Sequence, residues 1–193
     1  MALERREVVA RLLRERGDAL VVTGLGSTTW DTAAADDHPN NLYLWGGMGG
    51  AAVCGLGLAL AQPKRRVLVI TGDGEMLMGL GTLATIGVQR PANLAVCVID
   101  NERYGETGMQ RTHTSFGVDL PGVAKAVGIR TTALVRTKSG LERIARKLLA
   151  ARGPIFVSIK VGTNPAPMVL PSRDGPWILR RFRHNLLGAA ADE

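Results

Sequence analysis

Residues 66–101 read RVLVITGDGEMLMGLGTLATIGVQRPANLAVCVIDN, and this stretch decides the fold class. It contains two continuous apolar runs, at 66–71 and 94–99. Such runs are typical of strands buried on both faces of a parallel sheet. The apolar segment between them predicts a helix that extends to residue 88. A strand, a helix and a second buried strand in this order predict an α/β architecture.

The rest of the chain alternates in the same way. Further strands are predicted at 19–23, 42–45, 131–135 and 155–161, and further helices at 3–16, 48–61, 121–128 and 139–152. Residues 30–41 are predicted to form a polar loop. We therefore expect an α/β fold: a doubly wound, mainly parallel sheet with helices on both faces. The whole chain, 1–193, is predicted to be one domain, with 165–193 as a proline-rich connection and a basic C-terminal arm.

Composition and the first residues exclude several classes of protein. The chain has 193 residues, of which 46% are hydrophobic and 21% charged, as in globular proteins. The first segment carries Glu4, Glu7 and Glu15 and has no continuous apolar core, so it does not resemble a signal peptide. The longest glycine-rich apolar run, 46–61, is shorter than the ~20 residues needed to span a bilayer. We expect a cytoplasmic protein without a membrane partner.

The formal charge of +7 is unevenly distributed. Residues 1–100 hold 9 Lys and Arg against 10 Asp and Glu, whereas residues 101–193 hold 15 against 7. A basic half indicates an anionic ligand or partner, although a solvated charged face is the plainer alternative. No helix-turn-helix, zinc-finger or RNA-binding signature appears, and aromatic residues are only 4% of the chain. Nucleic acid is therefore not the expected partner.

Two polar clusters follow the two buried strands: Gly72-Asp73-Gly74 and Asp100-Asn101. Ligands of doubly wound sheets bind at the carboxyl ends of the strands, and a glycine turn that enters a helix favours a phosphate. The Asp73 carboxylate would repel a phosphate unless a cation lay between them. Mg²⁺ takes oxygen ligands and commonly joins one or two protein groups to phosphates. Asp73 and Asn101 therefore predict a Mg²⁺-bridged diphosphate.

Two other interpretations of these residues compete with this one. The glycine turn and Asn101 can be a plain turn and a helix cap. The pattern GxGxxA of dinucleotide sites occurs at 47–52 and 79–84, but the second copy begins inside the predicted helix rather than at a strand end. There is no GxxxxGK[ST] pattern, which argues against a nucleoside triphosphatase.

Four segments together resemble a known family. Residues 72–101 resemble the thiamine diphosphate motif, which begins with GDG and ends in Asn. LWGGMGGA at 44–51, GLGST at 24–28 and NERYGETGMQ at 101–110 resemble the other cofactor-facing segments. The set is similar to thiamine diphosphate-dependent 2-oxo-acid decarboxylases of the sulfopyruvate and phosphonopyruvate type, in particular to separate subunits that carry the C-terminal, diphosphate-binding domain.

The resemblance implies thiamine diphosphate and Mg²⁺ as cofactors. Asp73, Asn101 and the backbone carbonyl of Arg103 would bind the metal, and Met48 would lie beneath the thiazolium ring. The residues implied to contact the cofactor are Gly26, Ser27, Gly46, Met48, Gly72, Asp73, Gly74, Glu75, Asn101 and Tyr104.

The resemblance also implies a reaction and its residues. Glu106, Thr107 and His113 would be catalytic, and Arg111 and His113 would bind a small 2-oxo acid with an anionic group. The glutamate that activates the cofactor in this family comes from a pyrimidine-binding domain, which this chain lacks. We therefore expect an α-type partner subunit, in an α2β2 assembly. A carboligating subunit similar to acetolactate synthase, and a non-catalytic cofactor-binding or regulatory module, are the alternatives.

Overall fold

A computed structural model describes residues 2–192 and is built around a six-stranded parallel sheet. Its strands are β1 (Leu20–Thr23), β2 (Asn41–Tyr43), β3 (Val67–Gly72), β4 (Leu94–Asp100), β7 (Thr131–Val135) and β8 (Ile155–Lys160). A small antiparallel hairpin pairs β5 (Arg103–Tyr104) with β6 (Gln110–Arg111). The strand order β2-β1-β3-β4-β8-β7 reverses between β1 and β3, which is where a doubly wound sheet opens a crevice for a ligand.

Helices cover both faces of the sheet. They are α1 (Arg5–Leu13), α2 (Ser27–Ala35), α3 (Ala51–Ala61), α4 (Asp73–Met78), α5 (Thr82–Gln89), α6 (Leu120–Ala126), α7 (Lys138–Ala150) and α8 (Gly175–Leu187). Along β3, Leu68 and Ile70 pack in one apolar core with α1 and α7. Val67 and Val69 pack in the other, with α3, α5 and α6. This arrangement confirms the predicted doubly wound fold.

The polar loop predicted at 30–41 is wrong over its first half, because residues 27–35 form helix α2. The helix buries four polar side chains, and three of them, Thr28, Thr29 and Asp31, have partners that lie far away or across a turn. Asp31 is paired with Arg5 at 2.5 Å and with Arg6 at 3.0 Å, and Thr29 Oγ1 donates to the carbonyl of Gly24 at 2.5 Å. Long-range partners let a polar segment pack inside, and periodicity alone does not reveal them.

The single helix predicted after the glycine turn is two helices, α4 and α5, with a break at Gly79. A Cβ at Gly79 would lie 2.2 Å from the carbonyl oxygen of Gly49, so the chain passes too close to the start of α3 for any other residue. The break therefore reflects tertiary packing between two glycine-containing segments.

Residues 165–174 are irregular and are followed by helix α8. Ile178 and Phe182 of α8 are buried, and Arg181 pairs with Asp37 at 3.0 Å. The basic arm is thus packed on the sheet edge formed by β2. Within residues 2–192, no helix has the length and apolar character needed to cross a bilayer.

Two glycines of α3 give a matched test of the packing. A Cβ at Gly55 would lie 2.2 Å from Cγ2 of buried Val69, whereas a Cβ at Gly57 meets nothing within 4 Å. We expect Gly55→Ala to lower the free energy of unfolding by about 1–3 kcal/mol through overpacking. Gly57→Ala is expected to raise it by about 0.5–1 kcal/mol, since alanine loses less backbone entropy. Urea unfolding followed by circular dichroism measures both values, and equal effects would contradict the packing.

Candidate active site

A cavity of about 400 Å³ lies at the carboxyl ends of the central strands. It contains most of the residues that the sequence singles out. Those that line it are Ser27, Met48, Gly72, Asp73, Gly74, Glu75, Asn101, Arg103, Tyr104, Glu106 and Thr107. The two polar clusters, which stand 28 residues apart in the chain, therefore meet in one place, as expected from the parallel pairing of β3 with β4.

Asp73 is the first residue of α4 and is only 1% exposed. The hydroxyl of Thr112 donates to Oδ2 at 2.5 Å, and Thr114 Oγ1 lies 3.2 Å from the same oxygen. Neither hydroxyl donates a hydrogen bond to Oδ1 of Asp73. Burial, with a smaller contribution from the nearby Asp100 carboxylate, raises the pKa of Asp73 to about 6, although the two hydroxyls lower it. A cation beside this carboxylate would offset the cost of burying its charge.

Asn101 follows β4 and borders the same cavity. Its Oδ1 accepts a hydrogen bond from the backbone N–H of Arg103 at 3.0 Å, which fixes the amide plane. Between these two residues, Glu102 has a left-handed backbone with φ of 62°. The turn thus presents the Asn101 side chain and the Arg103 backbone at the strand end.

The oxygen donors of Asp73 and Asn101 fit a hard cation that a phosphate also coordinates. A carboxylate and a side-chain amide are the oxygen donors that Mg²⁺ takes from proteins, with phosphates and water completing its shell. Among the described residues there is no group of three or more His, Cys, Asp or Glu side chains placed to hold a metal. An ion bound here would therefore depend on oxygens that the ligand supplies.

The glycines around the cavity allow close approach of the backbone. Gly26 has φ of 77°, and a Cβ there would lie 2.5 Å from Oε1 of Glu106. A Cβ at Gly74 would lie 2.6 Å from the Tyr104 ring. Gly26 and Gly72 precede α2 and α4, and neither helix has a side-chain cap. The first N–H groups of α2 therefore have no side-chain acceptor and favour an anion.

Glu75 lines the cavity but directs its carboxylate toward the turn after β1. Thr71 Oγ1 donates to Glu75 Oε2 at 2.7 Å, and a Cβ at Gly24 would overlap this carboxylate. Burial raises the pKa of Glu75, while its hydrogen bonds lower it. Its side chain thus braces neighbouring turns, and only its backbone N–H is suited to a diphosphate.

Four of the predicted site residues are not among those lining the cavity: Gly26, Gly46, Arg111 and His113. Arg111 stacks on the Phe116 ring at 4.2 Å and donates to the carbonyl of Ser115 at 2.8 Å. His113 Nδ1 lies 3.3 Å from the hydroxyl of Tyr104, which does line the cavity. His113 is therefore linked to the site through Tyr104, whereas Arg111 points to Phe116 in this conformation.

Several lining residues were not foreseen, among them Arg5, Trp30 and Asn164. A parallel bridge between Leu3 and Val161 brings the segment that contains Arg5 next to the segment that contains Asn164. Nothing local in the sequence marks this pairing, because Arg5 reads as the start of an ordinary amphipathic helix.

A family model described as "Thiamine pyrophosphate enzyme, C-terminal TPP binding domain" matches residues 24–159. The chain belongs to this family. The match includes both polar clusters and the turn after β1. Most of the residues that line the cavity belong to the matched segment.

Two curated relatives are similar over most of the chain. The "sulfopyruvate decarboxylase subunit beta" of Methanothermobacter thermautotrophicus is 36% identical, and the alignment covers all of both chains. The "phosphonopyruvate decarboxylase" of Streptomyces viridochromogenes is 40% identical over 94% of this chain and 44% of its own length. The chain thus spans the whole of one relative and less than half of the other.

A solved structure supports the fold. The thiamine diphosphate-dependent 4-hydroxybenzoylformate decarboxylase of Rhodococcus jostii RHA1 superposes with a TM-score of 0.68 at 20% identity, covering 86% of this chain and 34% of that one. The comparisons together confirm the predicted family, the fold and the class of enzyme, a thiamine diphosphate-dependent decarboxylase subunit.

Proposed function

We propose that the chain is the thiamine diphosphate- and Mg²⁺-binding subunit of a 2-oxo-acid decarboxylase of the sulfopyruvate or phosphonopyruvate type. In this proposal residues 1–193 are one diphosphate-binding domain. The observation that carries it is the meeting of buried Asp73 with Asn101 on one cavity, in a chain of this family. The cytoplasmic location stays a prediction.

Each wall of the cavity has its own role in the proposal. Asp73, Asn101 and the Arg103 carbonyl would hold Mg²⁺, and the N–H groups of Gly74 and Glu75 would bind the diphosphate. Ser27, at the uncapped start of α2, would bind it from the opposite side. When bound, thiamine diphosphate supplies a nucleophilic carbon and an electron sink for the loss of CO₂.

Met48 and Gly46 would contact the ring portion of the cofactor. Met48 is exposed at the rim of the cavity, and Gly46 is exposed nearby with nothing within 4 Å of its Cβ position. Both residues are therefore free to be covered by a ligand and a second protein surface. Their exposure supports a site that is completed from outside the chain.

The reactive end of the site would be formed by Glu106, Thr107 and the Tyr104–His113 pair. Glu106 and Thr107 line the cavity, and the hydrogen bond of 3.3 Å between Tyr104 and His113 joins two groups able to hold or pass a proton. Arg111 would bind the second anionic group of the substrate after leaving Phe116. This interpretation gives the basic half of the chain a function.

A substrate series tests the assignment in the complete assembly of the chain with its partner. Sulfopyruvate or phosphonopyruvate is expected to give a kcat/KM about 10–100-fold above that of pyruvate, because a second anion forms a charge-assisted hydrogen bond of about 1.5–3 kcal/mol. Arg111→Gln should remove most of this preference and leave pyruvate turnover unchanged. CO₂ release measures both quantities.

Exposed Arg130 provides the matched control, since Arg130→Gln removes one positive charge away from the cavity. An equal loss in both variants, or an equal loss for pyruvate and the anionic substrates, contradicts the role given to Arg111. Accumulation of a ketol product rather than an aldehyde would instead favour the carboligating alternative.

We propose that the partner subunit binds to the outer surface of α3. The helix contains no charged residue, and Val53 and Leu60 are about half exposed, at 51% and 49%. Met48 and Met78, which line the cavity, are also exposed apolar side chains. Apolar surface next to an open site is typical of a protein interface. We assign it to a pyrimidine-domain subunit, with two copies of each chain.

A further inference from the structure

A buried carboxylate, Asp100, lies directly beneath the Asn101 turn. Asp100 is only 2% exposed, and four donors surround its carboxylate. Glu102 N–H and Thr114 Oγ1 donate to Oδ1 at 3.2 and 2.8 Å. Ser158 Oγ donates to Oδ2 at 3.2 Å, and Lys160 Nζ lies 2.8 Å from the same oxygen. A buried charge with this many partners has a defined position.

Lys160 reaches both residues that flank Asn101. It is the last residue of β8 and stands opposite Asp100 in the β4–β8 pairing. Its ammonium contacts Asp100 Oδ2 at 2.8 Å and Glu102 Oε1 at 2.7 Å. Lys160 therefore pairs with the residue before Asn101 and with the residue after it. We call these two ion pairs the bracket.

The bracket stabilises a backbone that is otherwise unfavourable. Glu102 has φ of 62°, a left-handed conformation that costs a non-glycine residue about 1–2 kcal/mol. The Glu102 side chain is held by its ion pair with Lys160, and the Glu102 carbonyl accepts a hydrogen bond from the Thr112 N–H at 3.0 Å. Since this turn aims both Asn101 and the Arg103 carbonyl, what holds Glu102 also sets the metal-binding geometry.

The network continues to the second proposed ligand. Thr114 Oγ1 is 2.8 Å from Asp100 Oδ1 and 3.2 Å from Asp73 Oδ2, and Thr112 Oγ1 is 2.9 Å from Thr114 Oγ1. A hydroxyl has one proton, so the shorter contact gives that of Thr114 to Asp100 and leaves Thr112 to donate to Asp73. Lys160 thus pairs with a carboxylate, Asp100, that is linked to Asp73 through the Thr114 hydroxyl.

We propose that Lys160 is a positioning residue that sets the affinity of the site for Mg²⁺, by fixing Asn101 and Arg103 through Asp100 and Glu102. The inference rests on the proposed function and deepens it. Lys160 is not among the residues lining the cavity, so its action is through the turn rather than by contact with the ligand. Outer partners of metal ligands commonly change metal affinity by about 10–100-fold.

The experiment is a Mg²⁺ titration of the full chain at fixed thiamine diphosphate, read from the change in intrinsic tryptophan fluorescence. Trp30 lines the cavity, whereas Trp45 and Trp177 are not among its lining residues. Lys160→Met is expected to raise the apparent Kd for Mg²⁺ by about 10–100-fold. Lys160→Arg should restore most of the affinity because it keeps the charge. Lys125→Met, at an exposed position of α6, is the matched control and should leave the Kd unchanged.

Thermal unfolding of each variant without ligands separates affinity from folding. If Lys160→Met does not fold, Glu102→Gln replaces it, since that change removes one arm of the bracket and keeps the Asp100 pair; it should raise the Kd severalfold. An unchanged Kd in the folded variant, or no rescue by arginine, overturns the inference alone. A wild-type chain that binds neither Mg²⁺ nor cofactor overturns the proposed function and this inference with it.

Discussion

Asp73→Asn is expected to lower the affinity of the full chain for thiamine diphosphate with Mg²⁺ by more than about 100-fold. In the proposed site it removes a charged oxygen ligand from a cation that depends on few protein groups. The amide has the size of the carboxylate and still accepts from Thr112. The cavity walls should therefore keep their shape, so the loss is one of affinity. Isothermal titration at constant Mg²⁺ measures it.

The same variant should be at least as stable as the wild-type chain without ligands. Burial raises the pKa of Asp73 to about 6, so the folded pKa lies above that of the unfolded chain and the ionised carboxylate is a cost to folding. That cost grows as pH rises between the two pKa values and is fully present above pH 6. Removing it at pH 7.5 stabilises the fold by about 1–3 kcal/mol.

Asp18→Asn is the matched control, because Asp18 is an exposed carboxylate far from the cavity that pairs with Arg65 at 3.0 Å. It should change neither affinity nor stability beyond about 0.5 kcal/mol. Cofactor binding by Asp73→Asn at wild-type affinity, or a large loss of its stability at pH 7.5, would show that Asp73 is a structural residue and not a metal ligand.

Asp73 and Asn101 were predictable because each stands at the end of a continuous apolar strand. Parallel pairing then places them together without any knowledge of the rest of the chain. Their type also restricts the chemistry, since a carboxylate beside a phosphate-binding turn implies a cation. The part of the site that depends on local sequence and strand order could therefore be derived.

Lys160 and helix α2 could not be derived in the same way. Lys160 ends a strand 60 residues after Asp100 and reads as a charge at a strand terminus until the β4–β8 register is known. Helix α2 buries Asp31 only because Arg5 and Arg6 reach it from another helix. In both cases a polar residue is explained by a partner distant in sequence, and periodicity carries no information about such partners.

Leu60→Lys is expected to prevent assembly with the pyrimidine-domain subunit and to reduce decarboxylation by more than about 100-fold. The substitution places a charge near the C-terminal end of a helix that has no charged residue, where burial in an interface would leave the charge unpaired. Size-exclusion chromatography with light scattering measures assembly, and CO₂ release measures turnover. The isolated variant should fold normally, since Leu60 is half exposed and surface changes rarely exceed about 0.5 kcal/mol.

The large effect on turnover follows from where the nearby glutamates lie. Glu75 is bonded to Thr71, Glu102 to Lys160, and Glu106 lies against the Gly26 turn. Glu75 and Glu102 are thus committed to the turns of the cavity, and Glu106 is assigned to its reactive end. In the proposed assembly the glutamate at the pyrimidine ring comes from the partner, and loss of a general acid or base costs about 10²–10⁴-fold in rate.

Leu134→Lys is the control for this experiment, because Leu134 is similarly exposed but lies on β7 at the far edge of the sheet. It should assemble and turn over substrate like the wild-type chain. If Leu60→Lys also assembles, the partner binds another surface. If the chain alone decarboxylates substrate at the rate of the assembly, the glutamate lies within these 193 residues and the divided active site is wrong.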